Sequence, residues 1–121
     1  MGSPAMRNLV WYWLAVGIYA GFIFYISSLP AKDIPGLFPC QDIVFHFLEY
    51  AVFAWLIIRA VTTSWPQKGR REKLLLVMFL AFLYALSDEF HQSFVPGRTA
   101  SWLDVAVDAT GSFFTTLSYR R

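Results

Sequence analysis

The sequence predicts an all-α protein, a four-helix transmembrane bundle whose N- and C-termini both lie in the cytoplasm. Of its 121 residues, 57% are hydrophobic and only 15% are charged, which is too apolar for a soluble protein of this size. Long apolar stretches alternate with short segments that contain proline or glycine. A chain of this length forms one domain, here residues 6–121, and residues 1–5 are interpreted as a cloning remnant.

The four spans are expected at residues 9–29, 42–62, 74–94 and 102–118. The first is a run of 21 uncharged residues, about 32 Å long as a helix, and it is too long and too aromatic for a cleaved signal peptide. Prolines between the first two spans mark a loop. Arg59, near the end of the second span, can extend its charged group to the interface.

Turn and capping motifs delimit the later helices. The VPGR tetrad at residues 95–98 predicts a turn, because proline presets the first corner and glycine accepts a positive φ at the second. Ser101 and Asp104, three residues apart, predict a capping box at the start of the fourth span. Asp42 stands where the N-cap of the second span is expected.

The distribution of lysine and arginine predicts the orientation. One side of a four-span chain collects most of the basic residues: Arg7, Lys68, Arg70, Arg71, Lys73, Arg120 and Arg121. The opposite loops hold only Lys32 and Arg98. Because cytoplasmic loops carry the excess of positive charge, both termini are predicted inside and the two less basic loops outside.

Polar residues are concentrated at this predicted outer end. Six of the eight acids lie in the spans or at their ends, together with both histidines and a glutamine: Asp42, Glu49, Asp88, Glu89, Asp104, Asp108, His46, His91 and Gln92. A charge within a span costs roughly 2.5–3.5 kcal/mol on insertion scales, so such a cluster has a partner or a function. Since the acids outnumber the bases, three outcomes are open: some carboxyls are protonated, the site holds a cation, or a positively charged ligand group enters it.

Helical spacing places these side chains on common faces. In the second span, Asp42, His46 and Glu49 follow one another at i, i+4 and i+7. In the fourth, Gly111 continues the face that carries Asp108, and it allows another helix to approach closely. The simplest packing therefore turns these faces inward at one end of the bundle.

In the third span, Asp88, His91 and Gln92 share a face, whereas Glu89 points about 100° away from Asp88. The His-x-x-Glu and Asp-x-x-His spacings of the second and third spans are similar to those of some helix-bundle metal sites. Their ligand number and spacing single out no metal, so no metal and no cofactor is assigned.

Structural roles compete with functional ones. Capping explains Asp42 and Asp104 about as well as ligand binding does. Hydrogen bonds between helices can account for the deeper acids and for the histidines, and Arg98 can pair with a lipid phosphate at the interface. Gly17 and Gly21 in the first span form a close-packing motif, which is interpreted as packing within the chain.

The segment DEFHQSFVPGR at residues 88–98, followed by Asp104, Asp108 and Gly111, resembles the signature of the VanZ-like family. The segment HFLEY at residues 46–50 and the earlier SSLP are also similar to that family's pattern. The resemblance implies a small multi-pass protein of the bacterial cytoplasmic membrane. The family is named for low-level resistance to the glycopeptide teicoplanin, and the resemblance implies no known reaction.

The residues predict a membrane protein with an outward-facing pocket of acids and histidines. The resemblance implies a cell-envelope protein that contributes to teicoplanin-type resistance. Its catalytic candidates are His46, Glu49, Asp88, Glu89, His91 and Asp108, and its ligand-binding candidates are Asp42, Gln92, Arg98 and Asp104. The expected partner is a membrane lipid, a lipid-linked envelope precursor or a glycopeptide. A net charge of only +2 indicates no nucleic acid. Catalysis, binding without turnover and a purely structural role remain open.

Overall fold

The structure, a computed structural model, describes residues 2–119. Within that range it contains four α-helices, one 3-10 turn and no strand, which confirms the predicted all-α class. The elements are α1 (Pro4–Ser27), the 3-10 turn Ala31–Asp33, α2 (Gln41–Ser64), α3 (Arg70–Gln92) and α4 (Trp102–Ser118). Met1, and the C-terminal pair Arg120 and Arg121 that contributes to the predicted basic side, lie outside the described residues.

Each helix begins and ends for local reasons. α1 begins before the predicted span, because Ser3 accepts the N–H of Met6 and Pro4 stands at the first helical position. Residues 3–5, set apart from the predicted domain, thus cap and start a helix. α3 takes the basic residues from Arg70 onward into its first turn and ends at Gln92, two residues before the predicted limit. α4 has the predicted bounds.

Three of these helices, α1, α2 and α3, are long and apolar enough to cross a membrane. α4 has 17 residues and is about 26 Å long, somewhat shorter than a hydrocarbon core of about 30 Å. Large apolar side chains cover the outward faces, among them Phe79 and Phe113, each more than half exposed. Exposed apolar surface of this extent fits contact with lipid. The fourth crossing stays a prediction.

The helices pack in two zones. α1 and α4 lie on opposite sides of the α2–α3 pair and, within residues 2–119, do not contact each other. An apolar core fills the space between α1, α2 and α3 and includes Ile23, Phe53, Ile57, Val77 and Ala81. The more polar zone lies where α4 meets α2 and α3.

The contact of α2 with α4 is very close. A Cβ atom added at Gly111 would lie 2.3 Å from the carbonyl oxygen of Phe47, so only glycine fits there. The hydroxyl of Thr115 donates to the carbonyl of Ala51 at 2.8 Å across the same interface. The predicted close approach at Gly111 is confirmed.

The glycine motif of α1 behaves differently. A Cβ added at Gly17 or Gly21 would meet nothing within 4 Å, so the interpretation of this motif as packing within the chain is wrong. α1 instead turns Trp13, Tyr19 and Ile23 toward the core. These large side chains set the distance between α1 and its neighbours.

The two ends of the bundle are distinct. At one end Arg70 of α3 donates to the carbonyl of Tyr119, just after α4, and Trp13 of α1 donates to Ser64 of α2 at 2.6 Å. At the other end the two remaining loops meet, since the N–H of Ala31 donates to the carbonyl of Pro96 at 3.3 Å. The basic loop and the loops near the candidate site therefore lie at opposite ends.

Candidate functional site

A polar cavity of about 230 Å³ lies between the two loops and the first turns of α2 and α4. Its polar lining includes Asp42, His46, Gln92, Arg98 and Asp104. All four predicted ligand-binding residues and one predicted catalytic residue thus surround one cavity. They come from α2, α3, α4 and the turn before α4, which the fold brings to the same end.

Asp42 lies in the first turn of α2, not at its N-cap, so the capping role expected for it is wrong. The helix begins one residue earlier, after Cys40 in the left-handed conformation with φ 61°. The side chain of Gln41 holds the preceding loop, because its Nε2 donates to the carbonyl of Pro35 at 2.8 Å and its Oε1 accepts the N–H of Leu37. The carboxylate of Asp42 is exposed at the cavity.

Arg98 both lines the cavity and holds the end of α1. The predicted turn is confirmed, since the N–H of Arg98 donates to the carbonyl of Val95 at 3.2 Å and Gly97 has φ 76°. The Nη1 of Arg98 donates to the carbonyls of Leu29, at 2.8 Å, and Ile26, at 3.3 Å. These carbonyls lie at and beyond the C-terminal end of α1, where backbone acceptors lack partners within the helix. Arg98 therefore caps α1 with one nitrogen of its guanidinium.

At the cavity, three predicted catalytic residues from three helices form a group in which the two carboxylates are buried and His46 is partly exposed. His46 Nδ1 lies 2.8 Å from Asp108 Oδ1, and the carboxylate of Asp108 is fully buried. Glu89 of α3 is 6% exposed and accepts the N–H of Ser101 at 3.2 Å. One ligand atom of each of His46, Glu89 and Asp108 lies within 4.8 Å of those of the other two. We call these three residues the buried trio.

Two oxygen atoms of the buried trio lack hydrogen-bond partners among residues 2–119. They are Oε1 of Glu89 and Oδ2 of Asp108. A buried carboxylate oxygen without a partner is costly, so native structures rarely leave one. Each of these two oxygens therefore needs a hydrogen-bond donor or a cation that the described residues do not supply.

The predicted capping box is half right. The hydroxyl of Ser101 accepts the N–H of Asp104 at 3.2 Å, as expected. The N–H of Ser101 donates to Glu89 of α3 and not to Asp104, which would close the box. Asp104 is thereby free to line the cavity, and Glu89 ties the start of α4 to α3.

Asp88 lies apart from the buried trio. It accepts hydrogen bonds from the hydroxyls of Ser27 of α1 and Tyr50 of α2, the latter at 3.0 Å, and all three residues are buried. The three side chains join α1, α2 and α3 at the base of the polar end. Ser27 and Tyr50 lie in the SSLP and HFLEY segments that resemble the family pattern, but no spacing in the sequence pairs either residue with Asp88.

His91 and Glu49 do not join the buried trio either. His91 Nε2 lies 2.8 Å from the hydroxyl of Ser28, and its ring stacks on Phe24 with centroids 4.2 Å apart. Among the described residues the Glu49 carboxylate makes no hydrogen bond, while its backbone carbonyl accepts the hydroxyl of Tyr19 at 2.9 Å. The residues predicted to share a face of the third span thus separate. Asp88 accepts from Ser27 and Tyr50, His91 contacts Ser28 and Phe24, and Gln92 lines the cavity.

The sequence model described as VanZ/LLP1 matches residues 12–121. The chain belongs to the VanZ/LLP1 family. No curated protein and no solved structure gives a significant match. Several residues that carried the resemblance make polar contacts at this end of the bundle: Ser27, Ser28, His46, Tyr50, Asp88, Glu89, His91, Arg98 and Asp108. In this VanZ/LLP1 chain the motif residues, although distant in sequence, therefore lie together at one end of the bundle.

Proposed function

We propose that this VanZ/LLP1 protein binds the polar headgroup of an amphiphilic cell-envelope molecule in the cavity. The observation that carries the proposal is the lining of that cavity by opposite charges, with Asp42 and Asp104 facing it together with Arg98. A headgroup that carries an amine and a phosphate or carboxylate complements this arrangement. The amine pairs with the carboxylates, and the anion pairs with the guanidinium.

Arg98 retains donors for such an anion. Its guanidinium has five N–H groups, and the contacts with α1 use Nη1. The carbonyls of Ile26 and Leu29 also fix the position of the side chain. A positioned guanidinium loses less rotamer freedom on binding than a free one, which favours affinity.

An apolar groove next to the cavity suits the rest of an amphiphile. It has a volume of about 340 Å³, lies between α3 and α4, and is lined by Leu86, Phe90, Trp102 and Val105 together with Glu89. Phe90 is 70% and Trp102 80% exposed, so both can contact an acyl chain or another apolar group. A headgroup in the cavity and a chain along this groove would place a ligand across the membrane interface.

We place the protein in the bacterial cytoplasmic membrane, crossing it four times with the cavity on the outer side. The basic residues support this orientation, because Arg70 and Lys68 lie at the end opposite the cavity. A lipid, a lipid-linked envelope precursor or a glycopeptide can reach an outer cavity. Retention of one of these would account for a contribution to teicoplanin-type resistance.

Lipid retention by the purified protein tests the proposal. The protein is equilibrated with equal amounts of phosphatidylethanolamine, which carries an amine, and phosphatidylglycerol, which does not, and bound lipid is measured by native mass spectrometry. We expect a preference for phosphatidylethanolamine that the double variant Asp42→Asn/Asp104→Asn loses. Asp33→Asn, which removes an exposed acid of the 3-10 turn, is the matched control. Equal binding of both lipids, or an unchanged preference in the double variant, would contradict the proposal.

A second candidate function is catalysis on the same headgroup. It is favoured by His46, which lines the cavity and whose imidazole contacts the buried Asp108 at 2.8 Å. A histidine positioned by a carboxylate is suited to proton transfer. If the protein is a catalyst, the parent converts bound lipid into a product of different mass, and His46→Gln binds the lipid but forms no product. If the protein only binds lipid, the lipid fraction of neither protein shows a new mass.

A further inference from the structure

The buried trio has the composition of a metal site. We propose that His46, Glu89 and Asp108 bind a divalent transition-metal ion, with Zn²⁺ as the best match. The proposal concerns only these three residues and holds whether or not the cavity binds a headgroup. The sequence assigned no metal, because the spacings of His46 with Glu49 and of Asp88 with His91 single out none. Among residues 2–119 the ligand atoms that come together are instead those of His46, Glu89 and Asp108.

The unsatisfied oxygens point to a cation. Glu89 is 6% and Asp108 0% exposed, and one oxygen of each lacks a partner among the described residues. Two buried carboxylates next to one partly exposed imidazole leave a deficit of positive charge. A divalent ion removes that deficit and supplies a partner for both oxygens.

The spacing of the ligand atoms fits a small ion after a modest adjustment. One ligand atom from each residue lies within 4.8 Å of the others. In a tetrahedral zinc site with bonds of about 2.1 Å, ligand atoms are about 3.4 Å apart. The side chains must therefore close by at most about 1.4 Å, which rotation of glutamate and aspartate side chains can provide. The 2.8 Å contact between His46 Nδ1 and Asp108 Oδ1 would have to open to about 3.4 Å if both atoms bind the ion.

The donor set selects the class of metal. One imidazole nitrogen with two carboxylate oxygens suits Zn²⁺, Mn²⁺ or Fe²⁺, whereas Mg²⁺ and Ca²⁺ prefer six or more oxygen ligands. Three protein ligands leave one position of a tetrahedral ion for water or a ligand oxygen. His46 also lines the polar cavity, so molecules in the cavity can approach this position.

The test is metal binding by purified protein, independent of any lipid or activity. All proteins carry Cys40→Ser, because Cys40 is an exposed thiol that can bind zinc by itself. The affinity tag is removed, metal is stripped with EDTA, and Zn²⁺, Mn²⁺ or Mg²⁺ is added separately. Stoichiometry is measured by elemental mass spectrometry and Kd by competition with a chromophoric chelator.

We expect one Zn²⁺ per chain and a Kd that weakens more than about tenfold in Glu89→Gln. Glutamine keeps an oxygen that accepts the N–H of Ser101, so this variant is expected to fold. His91→Gln and Asp33→Asn remove other potential metal-binding groups at the same end and should leave zinc binding unchanged. At the same zinc concentration, Zn²⁺ should also raise the Tm of the parent protein and of both controls more than that of Glu89→Gln.

Each other outcome is decisive. Less than about half an equivalent of zinc in the parent, or equal affinity in Glu89→Gln, would overturn the proposal. Loss of zinc binding in His91→Gln would show that zinc binds at His91, which would also overturn the proposal. One equivalent of Mn²⁺ bound more tightly than Zn²⁺, with the same loss in Glu89→Gln, would support the metal site and overturn the zinc assignment.

Discussion

Gly111 of α4 lies against the backbone of α2 so closely that an added Cβ would be 2.3 Å from the carbonyl oxygen of Phe47. Backbone atoms cannot move aside as a flexible side chain can. We therefore expect Gly111→Ala to push α4 away from α2 and to lower the free energy of unfolding by about 1–3 kcal/mol, the usual cost of overpacking. Thermal unfolding in detergent measures this loss.

Gly17→Ala is the matched control, because a Cβ there would meet nothing within 4 Å. Alanine in a helix interior is favoured over glycine by about 0.5–1 kcal/mol, so this variant should be as stable as the parent or more so. If Gly111→Ala unfolded at the same temperature as Gly17→Ala, α2 and α4 would not pack this closely.

The pair of Tyr50 and Asp88 provides a second prediction. Tyr50→Phe keeps the ring in the core but removes one of two hydroxyl donors to the buried Asp88 carboxylate. An acceptor buried with fewer donors costs about 1–3 kcal/mol, so Tm should fall. Tyr25→Phe removes the hydroxyl of a tyrosine that is 62% exposed and should leave Tm unchanged. Equal Tm values for the two variants would contradict the contact.

Orientation in the membrane provides a third prediction. Cys40 is exposed in the loop beside the cavity, so a membrane-impermeant maleimide should label it in intact cells if that end faces outward. In Cys40→Ser/Gln67→Cys the single thiol moves to the basic loop at the opposite end and should react only after the membrane is permeabilised. The reverse pattern would invert the proposed topology.

The helices could be predicted because their signals are local. Hydropathy, proline and glycine act within a few residues, and Ser101 caps α4 where its sequence neighbours indicate. The apolar composition of α1, α2 and α3 likewise indicates, from local sequence alone, that these helices can cross a membrane. α4 shows the limit of this reasoning, since its bounds are predicted correctly while its length leaves the crossing undecided.

The grouping of the site residues could not be predicted, because it depends on how each helix is rotated against its neighbours. Helical spacing correctly separates Glu89 from Asp88, but it does not tell which of them meets α4. Asp108 meets His46 across 62 positions of sequence, a relation without a local signal. Even the N-cap expected at Asp42 lies two residues earlier, at Cys40, and the side chain of Gln41 contacts the loop before it.

Arg98 allows a final prediction that separates its structural contact from a role in lipid binding. Its Nη1 bridges the carbonyls of Leu29 and Ile26, which ties the turn at residues 95–98 to the segment after α1. Lysine keeps the charge but not the planar guanidinium fork, so Arg98→Lys should loosen this segment. Trypsin reports the change, because Lys32 lies in the segment and Lys68 lies in the loop at the other end.

We expect the ratio of cleavage after Lys32 to cleavage after Lys68 to rise several-fold in Arg98→Lys, since loss of a local tether raises the population of open conformers. Thr99→Ala alters the neighbouring exposed residue and should leave the ratio unchanged. Cleavage after Lys68 serves as an internal standard, because general destabilisation would accelerate both sites together. An unchanged ratio in Arg98→Lys would mean that the guanidinium does not hold α1, and its place at the cavity would then have to be explained by a ligand or a lipid phosphate alone.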